Sequence, residues 1–132
     1  MTYIKSIPSF AHEGTLVYTG SNYAENSTLW EENKEKLILT THNQVSIPRS
    51  TTSRTFGDYF RIMKTTTGNA SVWYPAQSTT YFDGSVYTNT TNTDGLGLGG
   101  VILPFKIYTF IYLGNTTGGG GYYGGIWAGG VT

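Results

Sequence analysis

Two histidines and eight carboxylates are the groups of this chain that could move protons or hold a metal, and their spacing leaves them little to do. There is no cysteine, which removes thiolate zinc sites, cysteine nucleophiles and disulfide frameworks together. His42 lies in Thr41-His42-Asn43 with no acidic partner at metal-ligand spacing, the pattern of a surface histidine. Glu31, Glu32 and Glu35 crowd the segment NSTLWEENKE, where Lys34 and Lys36 interleave with them; this is a solvated face rather than an acid–base pair. The Gly-rich run TNTDGLGLGG, residues 91–100, lacks the lysine of a phosphate-cradling loop and the strand-to-helix setting such a loop needs. No nucleophile–base pair and no paired carboxylates stand out, so the reading is non-enzymatic, with no cofactor and no metal. The remaining candidates are aromatic. Trp73, Tyr81, Tyr122, Tyr123 and Trp127, set among Asn and Thr side chains, could stack on sugar rings, although a β core claims the same residue types.

The elements that must position these residues read as strands. Residues 44–75 give strand, loop, strand, hairpin turn, strand. Val45 and Ile47 alternate with polar neighbours and stop at Pro48, which cannot continue a paired central strand. Residues 59–64 alternate Phe60 and Ile62 against Tyr59 and Arg61, the period of a sheet with one buried face. Lys64 shares the Phe60 and Ile62 face at the strand end, where its ammonium is expected to escape burial. Gly68-Asn69 supplies turn chemistry before a strand over residues 70–74, closed by Pro75. Further strands are expected at residues 15–19, 36–40 and 85–90. In the last of these Tyr87 and Asn89 lie on one face and Val86 and Thr88 on the other, and Asp83-Gly84 is the hairpin turn ahead of it. Residues 77–80 and 91–100 read as loops. One short helix is expected at about residues 28–35, where Thr28 and Glu31 fit a capping box.

Residues 101–113, VILPFKIYTFIYL, form the longest apolar run. Phe105, Ile107, Thr109, Ile111 and Leu113 point one way and suit a core. Tyr108, Phe110 and Tyr112 point the other way, and an aromatic patch of that size is rare on a soluble monomer. Those three are the candidate subunit interface. The expected organisation is an N-terminal arm at residues 1–14, an antiparallel, jelly-roll-like β-sandwich at 15–114, and a Gly-rich tail at 115–132 anchored by Tyr122, Tyr123, Ile126 and Trp127.

Charged residues make up only 12% of the chain and balance at 8 basic and 8 acidic, so no basic field exists to hold nucleic acid. The opening residues lack the apolar run of a signal peptide and no stretch has the length of a membrane span, which implies synthesis in a cytoplasm and no membrane partner. Low charge with many Tyr, Thr, Asn and Gly is typical of β-rich surfaces that meet other proteins or sugars.

Val45, Ile47 and Pro48; Gly57, Asp58, Phe60, Arg61 and Ile62; Gly68, Asn69 and Val72; the run 107–114; and Trp127 together form a pattern. It resembles a β-sandwich module of bacteriophage tail fibres, tailspikes and related virion proteins. The resemblance covers roughly residues 36–114, and the Gly-rich insertion before Trp127 departs from it. It implies a structural virion subunit (fibre, tail adaptor or head decoration) that assembles with other virion proteins and with itself, commonly as a trimer. A host surface glycan is the alternative ligand that the aromatic candidates would serve.

Overall fold

The computed structural model describes residues 34–48, 55–89, 97–114 and 124–132, together with the backbone of a strand at 15–18. Ten strands lie among these residues: β1 (Thr15–Tyr18), β2 (Leu37–Thr40), β3 (Gln44–Ser46), β4 (Tyr59–Lys64), β5 (Ala70–Tyr74), β6 (Ser78–Phe82), β7 (Ser85–Asn89), β8 (Gly97–Ile102), β9 (Ile107–Gly114) and β10 (Gly125–Val131). They form a seven-stranded sheet in the order β1-β2-β4-β9-β10-β6-β7 and a three-stranded sheet in the order β3-β5-β8. The fold is all-β and sandwich-like, and its alternating sequences are the reason. Along β4, Phe60, Ile62 and Lys64 are buried between half-buried neighbours, and along β5 Ala70, Val72 and Tyr74 are.

Both sheets are mixed, not antiparallel as the sequence suggested. The pairs β1–β2, β2–β4, β3–β5 and β6–β10 run parallel. The cause is the path of the chain. From β2 to β6 it alternates between the two sheets at every step, so consecutive strands within one sheet are reached by crossing over and back, not by a hairpin. The turn at Gly68 (φ 91°) is one such crossing: β4 and β5, expected to pair, lie in different sheets. Lys64 helps to hold it. The residue ends β4 as expected, but its side chain is 1% exposed. Its Nζ donates to the carbonyls of Thr67 (3.1 Å) and Gly68 (3.0 Å), which satisfy the ammonium inside the turn. The β6–β7 turn, by contrast, is the expected two-residue hairpin, with Asp83 at φ 48° and Gly84 at φ 81°.

Three segments differ from the sequence reading in kind. Residues 78–80, expected as part of a loop over 77–80, belong to β6, where Ser78 and Thr80 face inward. The Gly-rich run taken for loop becomes β8 from Gly97 onward. The tail supplies β10, which lies between β9 and β6 within the large sheet, so the sheet does not end at Gly114. The expected arm and most of the expected helix lie outside the described residues. Lys34 and Glu35 form a turn, with Glu35 at φ 67°, so no helix reaches Glu35.

The core is one cluster contributed by both sheets: Ile38, Phe60, Ile62, Phe82, Tyr108, Phe110, Tyr112 and Trp127 from the large one, Val45, Ala70, Val72, Tyr74 and Ile102 from the small one, with Ile47 just beyond β3. Its centre is a stack of rings. Phe110 lies 5.3 Å from Phe60 and 5.4 Å from Phe82, both roughly parallel, and Trp127 meets Tyr112 edge-on at 5.4 Å. The stack passes over Gly129, the register partner of both Phe110 and Phe82. A Cβ at Gly129 would come within 2.4 Å of the Phe110 ring, so the glycine of β10 is the space that the aromatic row occupies.

Candidate functional site

The structure reverses the assignment of the two faces of β9. Tyr108, Phe110 and Tyr112, the candidate interface, are 1%, 0% and 3% exposed and lie inside the sandwich. They are core residues, because the long rings reach across to Phe60, Phe82 and Trp127, and they are not available to a neighbouring subunit. The face carrying Ile107, Thr109, Ile111 and Leu113 points outward instead, with Ile111 38% exposed.

Register extends this outer face across five strands. Tyr59 of β4 pairs with Ile111 of β9, Ile111 with Ala128 of β10, Ala128 with Tyr81 of β6, and Tyr81 with Val86 of β7. Partners in register point to the same side of a sheet, so these residues form one apolar row. Exposure is greatest at its β7 end, with Tyr81 at 50% and Val86 at 58%. The next row, Leu37–Arg61–Thr109–Gly130, brings in one cation, whose guanidinium carbon lies 6.0 Å from the Tyr59 ring centre.

The five candidate sugar-stacking residues are not brought together. Trp127 is wholly buried, with its indole N–H donated to the Gly124 carbonyl at 2.6 Å. Trp73 is half-buried on the outer side of the three-stranded sheet, and Tyr81 is on the outer side of the other sheet. These are opposite faces of the sandwich, so the two share no stacking platform. Tyr122 and Tyr123 lie outside the described residues, as do Glu31 and Glu32. His42 is spent on its own turn: its backbone N–H donates to Thr40 Oγ1 (3.0 Å), and its Nδ1 accepts from the Gln44 N–H (3.1 Å). Among the described residues no group of three or more His, Cys, Asp or Glu is placed to hold a metal ion, and no helix is long and apolar enough to cross a membrane.

The buried polar side chains work for the scaffold. Asn89 Nδ2 donates to the Tyr74 carbonyl (3.1 Å), Ser78 Oγ to the Pro75 carbonyl (2.7 Å), and the Leu103 N–H donates to the Tyr108 hydroxyl (3.0 Å). Tyr74 stacks on Tyr87 at 5.3 Å, and its hydroxyl is buried with no hydrogen-bonding partner. Burial first, then the charges of Tyr87 and Asp83, push its ionisation well above the ordinary tyrosine value of 10.0.

The feature that strand prediction could not show is the edge. β7 was legible as a strand, but only the sheet order makes it the last one. In a two-residue hairpin the residues flanking the turn exchange both backbone hydrogen bonds, and alternate pairs then do the same. Phe82–Ser85, Thr80–Tyr87 and Ser78–Asn89 are therefore the bonded pairs. The N–H and C=O groups of Val86 and Thr88 face away from β6, and among the described residues neither has another hydrogen-bond partner. Ser85, Val86 and Thr88 are all exposed. Comparison with protein-family models, with curated proteins and with solved structures finds no match to this chain.

Proposed function

We propose that this chain is a non-enzymatic structural component of a bacteriophage-like virion, a fibre, tail-adaptor or head-decoration subunit that acts through protein–protein assembly. The observation that carries the assembly part is the outer row Tyr59–Ile111–Ala128–Tyr81–Val86, a contiguous apolar strip on the solvent side of a sheet whose opposite side already forms the core. Such strips mark contact surfaces. The virion part rests on the resemblance, and the positions that carry it are scaffold positions here. Val45, Ile47, Phe60, Ile62 and Val72 are core residues, and Gly57 and Gly68 hold φ of 95° and 91°. The reading includes a jelly-roll-like connectivity and a short helix ahead of Lys34. It also includes a homo-oligomer, with a trimer as the form the resemblance implies, and a location in the virion.

The test is mass spectrometry of density-purified particles from the source culture. Peptides of this chain at a fixed ratio to the other particle proteins are expected. Their absence from particles, with the chain present in the lysate, overturns the reading. A glycan array on the recombinant chain addresses the alternative role, and the separation of Trp73 from Tyr81 predicts no binding through those residues.

A further inference from the structure

Among the described strands β7 is an open edge of the large sheet, and that edge specifies a partner. An edge strand is a row of unpaired backbone groups, and natural proteins usually blunt it with charge, proline or a bulge. β7, SVYTN, has none of these: it carries no charged residue and no proline, and its pairing with β6 runs without a register shift. Its β-branched and aromatic residues favour extended pairing. What fits two outward N–H/C=O pairs spaced two residues apart is another strand.

We infer that β7 pairs antiparallel with β7 of a second copy of this chain, centred on Tyr87, so that two seven-stranded sheets become one. This goes deeper into the assembly reading above and rests on it. The geometry is self-complementary. With Tyr87 opposite Tyr87 of the partner, Val86 faces Thr88 of the partner and exchanges both backbone hydrogen bonds with it, and Thr88 does the same with Val86 of the partner. The groups that β6 leaves free are the ones this register uses. No charge opposes the approach, because β7 is uncharged and the chain as a whole has a formal net charge of +0. On the outer side, Val86, the end of the apolar row, meets Thr88 of the partner, a residue whose own register runs on through Thr79 to Ile126. A two-fold joint closes on itself, so a trimer formed through the outer face would be doubled by it.

Thr88→Pro is the sharp test, because it removes an N–H that points away from β6 and leaves the internal ladder intact. Thr88→Lys places a charge on the edge with no backbone change, and serves if the proline variant does not fold. Sedimentation of the wild type over a dilution series is expected to show a monomer–dimer equilibrium. Both variants are expected to raise its Kd by about tenfold or more while shifting the thermal midpoint little. Register is read separately: in this cysteine-free chain, Val86→Cys and Thr88→Cys proteins mixed and oxidised are expected to give a disulfide-linked heterodimer in preference to either homodimer. The inference is overturned by a wild type that stays monomeric to about 1 mM. It is equally overturned by dimers that Thr88→Lys leaves unchanged, or by a cysteine mixture that gives no heterodimer. None of these results bears on whether the chain is found in virions, so failure here is separable from failure of the function above.

Discussion

β9 presents two greasy faces, and the chain buries one of them. On the inner face Tyr108, Phe110 and Tyr112 are all but inaccessible; on the outer face Ile111 is 38% exposed and Ile107, Thr109 and Leu113 are half-buried. Side-chain hydropathy would choose the aliphatic face for the core. Ring geometry chooses the other, because Phe110 has a stacking partner on either side and a glycine directly opposite, whereas among the described residues no second sheet lies above the outer row. Here the face that goes inside is the one whose rings interlock along their own sheet, and transfer energy alone does not separate two apolar faces.

The largest effect should come from breaking the inner stack. Phe110→Ser removes a fully buried ring and leaves a hydroxyl between Phe60 and Phe82, for a loss on the order of 4 kcal/mol measured by denaturant unfolding. Ile111→Ser, one residue away, should cost about 1 kcal/mol or less and act chiefly on association. Equal losses at the two positions would erase the distinction between the faces.

Gly129→Ala tests the same stack from the opposite strand. The added methyl would press on the Phe110 ring, so a destabilisation of about 1–3 kcal/mol is expected in thermal or chemical melts. A neutral outcome would mean that the ring can move aside and that β10 is glycine-rich for another reason.

A smaller effect separates two buried tyrosines. Tyr108→Phe deletes the acceptor of the Leu103 N–H and should cost about 1 kcal/mol, whereas Tyr74→Phe deletes a hydroxyl with no partner and should be neutral or slightly stabilising near pH 7. The pH dependence gives Tyr74 its own signature. Its ionisation is raised in the folded state, so above the ordinary tyrosine value the unfolded chain has released a proton that the folded chain still holds, and stability falls as pH rises. The wild type should lose stability from about pH 10 upward, and Tyr74→Phe should flatten that decline. A decline of the same slope in both proteins would assign it to other groups.

Strand existence was legible wherever apolar residues alternate. The bounds of β4 and β5, the Asp83-Gly84 hairpin and the pairing of Tyr87 with Asn89 on one face all follow from period-two patterning and turn chemistry, which act over a few residues. β8 and β10 were not legible, because glycine has no strand propensity and its use there is defined by side chains far away in sequence. Gly99 makes room for the Tyr87 ring and Gly129 for that of Phe110. Lys64 was placed correctly at a strand end, but the carbonyls that hold it inside belong to a turn whose path no local signal predicts.

The sequence by itself therefore determined a β chain with an alternating core, tight glycine turns and a surface poor in charge, since these depend on local sterics and composition. The tertiary structure alone decided which sheet each strand joined, which of two apolar faces closed the core and which strand was left at the edge. Those choices depend on how strands distant in sequence meet, and the local period of a strand is the same whichever neighbour it finds.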